Sequence, residues 1–186
     1  PVNELFGDQL AAADFILISR ADLLTNQDFE KIECEISDKS RIGTPILRIA
    51  NGEMDPSLIL GLKQDDPLAF NDYQDIKNED HEPHHHVKVL SYRIQIEAKL
   101  DRALLECLLP QLAIEHKILR LKGRFWLPGK TIPLQLQMVG SRLSSWFEVA
   151  PSSVWTPKQA GLDIVVMSLD EFAADAITAG IEEICS

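Results

Sequence analysis

Four of the five histidines stand close together, at His81, His84, His85 and His86, beside Asp80 and Glu82. Neutral imidazole is a good ligand for Zn, Co, Ni and Cu, and carboxylates can complete such a sphere. Neighbouring residues of an extended segment cannot all face one ion, but His84 and His86 can converge, with His81 reaching back. The competing reading is a polar linker that holds metal only loosely, because the tract has no fixed ligand spacing. A second group is Ser19-Arg20-Ala21-Asp22, which follows the apolar run 14–18. A carboxylate placed there can accept hydrogen bonds from N1 and the exocyclic amine of guanine, while the long cation before it packs over the ring. The usual order for that chemistry is Asn-Lys-x-Asp. Here Arg20 keeps the planar stacking and Ser19 a smaller polar contact. Taken alone the tetrapeptide is weak, and an ordinary helix cap at Asp22 is the better reading. Asn51-Gly52 closes a second apolar run. It would border the same pocket, or be no more than a turn.

Other chemistry-like features fall away. Gly129-Lys130-Thr131 imitates the end of a phosphate-binding loop, but position 124 is Arg and an alternating run follows instead of a helix. It reads as a hairpin turn, and no Walker A sequence occurs in the chain. His116 is expected to be structural or salt-bridged, on a strand edge near Arg120, Lys122 and Arg124. No Ser-His-Asp or Cys-His signature is present, so no catalytic residue is assigned. Trp126, Trp146 and Trp155 are expected in the core or at its rim. Cys34, Cys107 and Cys185 are odd in number and form no CxxC pair, so a disulfide framework is not expected and a reducing cytoplasm is.

The elements that must position these groups follow from periodicity. Residues 5–13 read as the end of a helix and 14–18 as a strand buried on both faces. Thr25 or Asn26 caps a helix over 27–38, and 46–49 is a second strand. Pro56 sits near the start of a short helix. That alternation signals an α/β layer. Residues 63–86 lose periodicity and read as an acidic, His-bearing linker. Beyond it, 87–97 alternates as a strand. Residues 101–116 read as a helix carrying Leu104, Leu105, Leu108, Leu109 and Leu112, which Pro110 should kink or shorten. Residues 118–127, 133–139 and 142–149 are successive strands with turns at Pro128-Gly129 and Gly140-Ser141. A last strand, 162–169, leads into a helix from Asp170 that should bury Phe172, Ala176, Ile177 and Ile181. The second half is therefore α+β, with a mostly antiparallel sheet.

The chain has 186 residues, 18 Lys plus Arg against 29 Asp plus Glu, and a net charge of −11. That balance disfavours nucleic acid, whose phosphates need clustered cations, and anionic membranes. No apolar run is long enough to span a bilayer. The length suits one or two domains.

The order of these features is recognisable. The segment DQLAAADFILISRADLL resembles the helix, strand and guanine-specificity segment of CobW-type P-loop GTPases. The acidic His-bearing linker is similar to theirs. KILRLKGRFWLPGKTIPLQLQMVG is similar to the C-terminal domain of that family, through Leu-Arg-x-Lys-Gly at Leu119 to Gly123 and the turn at Gln137 to Gly140. VVMSLDEFAADAITAGIEEIC resembles the family's last strand and helix.

The resemblance implies a GTP-dependent chaperone of a transition metal, cobalt for cobalamin synthesis or zinc in related branches, with GTP and Mg in the full-length parent. Ser19, Arg20 and Asp22 would contact guanine, and Ile49 to Gly52, Asn51 included, would border the base. Implied partners are the metal ion and a client metalloenzyme or chelatase. The expected organisation is a GTPase-domain remnant over 1–62, a linker over 63–86 and a CobW C-terminal domain over 87–186. Family members carry a Walker A loop and a Cys-rich metal motif in their first half. Neither occurs here, and the chain begins at Pro1, so the expectation is a C-terminal half that does not hydrolyse GTP alone. A cut nucleotide domain should leave Phe15 to Ile18 uncovered, giving disorder, self-association or rearrangement in 1–62. The alternatives are a stand-alone interaction module or a His-cluster metal buffer, neither using nucleotide.

Overall fold

The computed structural model describes residues 2–50, 52, 54, 56, 58 and 89–185. Helix α1 (Val2–Ala12) leads into β1 (Ile16–Ser19), a 3-10 turn (Ala21–Leu23), α2 (Asn26–Ser37) and β2 (Ile46–Ile49). Thr25 caps α2, its hydroxyl oxygen accepting the Asp28 N–H at 3.2 Å. β1 and β2 pair in parallel, Ile16 with Ile46 through Ser19 with Ile49. With α2 as the crossover they form a βαβ unit.

The second part holds β3 (Leu90–Ile96), α3 (Arg102–Glu115), β4 (Ile118–Trp126), β5 (Leu134–Val139), β6 (Arg142–Phe147), β7 (Gly161–Ser168) and α4 (Ala173–Ile184). The five strands make one antiparallel sheet, ordered β3-β7-β4-β5-β6. Its helix side is the main core. Leu105, Leu109 and Leu112 of α3 and Ile177 and Ile181 of α4 meet Leu121, Phe125, Leu136, Ile164 and Val166. Asp101 starts α3 by accepting the N–H groups of Ala103 and Leu104 at 2.8 and 3.1 Å.

Four details differ from the sequence reading. Pro110 does not shorten α3, which runs on to Glu115. Pro110 is only partly buried, so the helix carbonyl it leaves unbonded is near the surface, where water can serve it. Phe172 is 60% exposed because α4 starts one residue later, and Ala173 takes the buried place. Leu104 is half exposed, about 100° round α3 from buried Leu105. His116 lies at the C-terminal cap of α3 and not on a strand.

The two parts touch through the opposite side of the sheet. β4 buries residues on both faces, Ile118 in the main core and Leu119 in a second cluster with Met167, Leu47 and Leu58, and a register shift between Ile118 and Arg120 returns Leu121 to the core side. Phe15 packs on that second cluster and Ile16 is buried, while Leu17 remains 36% exposed. Residues 2–50 thus hold helix and strand, and the disorder or rearrangement expected of 1–62 does not describe them. The reason is that Leu119 and Met167 offer an apolar cover for β2.

Polar contacts fix the same junction. Asp14 Oδ1 lies 2.8 Å from Arg41 Nη2 and 2.9 Å from Arg142 Nη1, tying β6 to the α/β unit. Ser141 donates to the Ile42 carbonyl at 3.0 Å. Gly140, at φ 53, has no room for a side chain, since a Cβ there would lie 2.5 Å from the Gly43 carbonyl oxygen. Hydrogen bonds from Arg41 and then Arg142 hold the Asp14 carboxyl below the ordinary value of 3.8. A depressed carboxylate contributes stability that is present above its unfolded pKa and lost as pH falls through the folded one. The junction is therefore expected to loosen below about pH 4. Asp14→Asn should remove that acid limb while costing no more than about 1 kcal/mol at neutral pH, since the pair is half exposed. Denaturation midpoints between pH 3 and 7 check this, and an unchanged acid limb would refute it.

Candidate functional site

The Ser19-Arg20-Ala21-Asp22 segment stands where β1 ends. Arg20 adopts φ 57 and ψ 35, the left-handed region, and serves as the N-terminal cap of the 3-10 turn. Leu23 N–H donates to the Arg20 carbonyl at 3.1 Å and Leu24 N–H to that of Ala21 at 3.2 Å. A non-glycine residue pays about 1 kcal/mol for that conformation. The reversal stops the strand and winds residues 21–23 beyond its carboxyl end. Ser19, Arg20 and Asp22 are all exposed. Their side chains make no hydrogen bond or ion pair with other described residues, so the Asp22 carboxylate is open to a ligand.

Parallel pairing brings the second strand end alongside. Ser19 is opposite Ile49, and the 3-10 turn lies against β2. Ala50 follows at the same rim. Asn51, assigned to the same pocket from the sequence, lies outside the described residues. Behind the rim, the Arg48 guanidinium sits 3.5 Å from the centre of the buried Phe29 ring, and its Nη1 donates to Asn26 Oδ1 at 3.3 Å. This anchors the start of α2 to β2. The arrangement is two parallel strand ends side by side, the first carrying Ser19, Arg20 and Asp22, where open α/β sheets place their ligands.

His81, His84, His85 and His86 lie outside the described residues. Among the described residues, no group of three or more His, Cys, Asp or Glu is arranged to hold a metal ion. Cys34, Cys107 and Cys185 are exposed free thiols. His116 Nδ1 is 2.8 Å from Asp170 Oδ2, a structural contact of the kind expected of it. The Phe172 N–H and then His116 hold the Asp170 carboxyl below its ordinary value. Trp126 is buried and meets Trp155 edge to face at 5.7 Å, whereas Trp146 is 42% exposed on β6. Gly129-Lys130-Thr131 joins β4 to β5, with Gly129 at φ 72, as read from the sequence. No helix of the described residues is long and apolar enough to cross a membrane.

Sequence reasoning missed a second polar cluster. Arg102 Nε contacts Glu106 Oε1 at 2.9 Å, Arg102 Nη2 donates to Ser145 Oγ at 2.9 Å, and Ser145 donates to Glu106 at 2.5 Å. Burial pushes the Glu106 carboxyl up, but the Ser145 hydroxyl and the Arg102 guanidinium outweigh it and leave the group below its ordinary value. Only the 102–106 spacing, one helical turn, was visible in the sequence.

The family model described as "Cobalamin synthesis protein cobW C-terminal domain" matches residues 89–184. The zinc chaperone CobW of a Sinorhizobium species is 29% identical over 185 residues, covering 97% of this chain and 51% of the relative. The zinc chaperone CobW of Pseudomonas aeruginosa is 33% identical over 158 residues, covering 80% and 40%. The chain thus spans about half the length of the curated relatives it matches. The Zn(II)-bound YjiA GTPase from E. coli aligns with a TM-score of 0.43 and 18% identity, over 98% of this chain and 55% of that structure. From the match over β3 to α4, the chain belongs to the CobW family, and residues 89–184 are its CobW C-terminal domain.

Proposed function

We propose that this chain is the C-terminal portion of a GTP-dependent metal chaperone, in which the α/β unit supplies the guanine-binding rim. The observation that carries the reading is the open Asp22 carboxylate beyond β1, beside the end of the parallel strand β2. In this reading Asp22 accepts from guanine N1 and the exocyclic amine, Arg20 packs over the ring, Ser19 adds a polar contact and Asn51 borders the base. The phosphate loop and the Mg²⁺ ligand that hydrolysis needs do not occur in this sequence, so catalysis belongs to the parent protein.

The cargo is a transition metal. The names of the curated relatives support zinc; cobalt, and with it a part in cobalamin synthesis, rests on the family resemblance alone. His81, His84, His85 and His86 are the candidate ligands, and imidazole suits either metal. The receiving partner is a client metalloenzyme or chelatase, and the free thiols fit a reducing cytoplasm.

Asp22→Asn in the parent protein tests the base assignment. An Asn amide can donate to the xanthine C2 carbonyl but repels the guanine amine. Hydrogen bonds to a charged group contribute about 1.5–3 kcal/mol. GTP affinity should therefore fall by roughly 100-fold, while affinity for xanthosine triphosphate rises. Calorimetry with both nucleotides, and with Zn²⁺ against Co²⁺, reads base and metal preference together. An unchanged preference for GTP would remove Asp22 from the site.

A further inference from the structure

The free edge of the five-stranded sheet, strand β6, lies in a cleft lined by three arginines and one carboxylate, Glu106. Two guanidiniums, Arg41 and Arg142, are fixed on one oxygen of Asp14. A third, Arg102, is fixed by Glu106 and Ser145. All three line one open cleft of about 510 Å³, together with Glu106, Pro110, Ser141, Leu143 and Ser145. Arg142 and Leu143 point to opposite faces of β6, as strand neighbours must. A cleft lined by both faces therefore runs along the edge of the strand.

That edge has unused backbone groups. The two-residue turn Gly140-Ser141 makes Val139 and Arg142 a hydrogen-bonded pair, and such pairs recur at every second residue. Glu148 N–H donates to the Pro133 carbonyl at 3.2 Å, in the same phase. The N–H and C=O groups of Arg142, Ser144 and Trp146 thus face β5, and those of Leu143, Ser145 and Phe147 face away from it. No described strand pairs on that side. The edge continues into exposed Trp146, Phe147 and Val149.

We propose that β6 is a docking edge for an extended acidic peptide of a partner protein, which adds as a sixth strand and places carboxylates on Arg41, Arg102 and Arg142. Strand addition supplies main-chain hydrogen bonds, and flanking side chains supply selectivity. Fixed guanidiniums bind carboxylates well because their forks are already ordered. A second copy of this chain is a poor occupant, since pairing β6 with β6 would set the same cations against one another. The net charge of −11 opposes an acidic partner at long range, but screening limits that to about 8 Å at physiological salt. The site is separate from the nucleotide rim, so either assignment can fail without the other.

The test uses the full chain. A random heptapeptide display library is selected on it, and amide exchange is measured with and without the peptide Asp-Val-Glu-Val-Asp-Val-Glu. Selected peptides should be enriched in acidic residues at alternating positions. The amides of Leu143, Ser145 and Phe147 should gain tenfold or more protection, with those of Ser144 and Trp146, already bonded to β5, little changed. Arg142→Ala should weaken the peptide tenfold or more. Selection without acidic preference, or acidic binding without protection of those alternate amides, overturns the proposal. So does protection that grows with protein concentration in the absence of peptide, which would mean self-pairing. Failure to select any peptide would show the arginines to be guards against edge pairing, and would overturn it as well.

Discussion

Gly123→Ala should destabilise the protein by about 3 kcal/mol or more, the upper end of what overpacking costs. Gly123 lies midway along β4, opposite Ile164 of β7. A Cβ there would stand 2.2 Å from the Asp163 carbonyl oxygen and 2.6 Å from both Ile164 Cα and Cγ2. Two of those three atoms are backbone, so no change of rotamer relieves the overlap. The strands themselves must separate, at the pair that joins both halves of the sheet. Gly7 provides the contrast. It lies within α1 with nothing within 4 Å of an added Cβ. Gly7→Ala should be neutral or stabilise by about 0.5–1 kcal/mol, from helix propensity. Urea midpoints of both variants decide the matter. A Gly123→Ala protein within 1 kcal/mol of the parent would show that the sheet yields where we hold it rigid. The same geometry gives the Leu119 to Gly123 sequence a physical meaning: its glycine is the point of closest strand approach.

Asp163→Ala should cost about 3 kcal/mol, the lower end of the range for breaking a buried pair. The Asp163 side chain is 0% exposed and Arg93 is 32% exposed. Two parallel hydrogen bonds of 3.0 Å join them, Nε to Oδ1 and Nη2 to Oδ2. Removing the carboxylate leaves a cation on a largely covered face, with buried Arg124 directly opposite position 163. Arg93 can turn partly to water, which is why the lower end of the range applies. A double-mutant cycle with Arg93→Met separates the pair from the cost of a lone charge. The Asp163→Ala/Arg93→Met protein should recover part of the loss, because the Arg93 charge is gone, while buried Arg124 opposite keeps the recovery incomplete. A cost below 1 kcal/mol for Asp163→Ala alone would mean that water reaches the site.

Much of the fold was legible because local rules agreed with one another. The alternation over 142–149, the turn residues Gly140-Ser141 and the cap at Asp101 each point to the element observed there. The errors came where a local rule met a nonlocal one. Phe172 reads as core by spacing, yet the turn set by Asp170 starts α4 late, and the Phe172 N–H is taken by the Asp170 carboxylate at 3.0 Å. Trp146 reads as core or rim by size, yet its strand is the edge of the sheet, which no local pattern announces. Pro110 reads as a break, yet α3 has a buried leucine face that keeps the helix in place around it.

By itself the sequence determined most of the strands and helices and the family, because each rests on residues near one another along the chain; that Asp22 stands exposed beyond β1 came from the structure. Tertiary structure alone decided which charges meet. Arg93 and Asp163 are 70 residues apart, and Asp14 is 128 from Arg142. It also decided that Leu119 and Met167 receive β2, and that β6 is left with a free edge. The physical reason is range. Propensity and periodicity act along the chain, whereas burial and Coulomb attraction act through space, on whatever residues the folded backbone brings within a few ångströms.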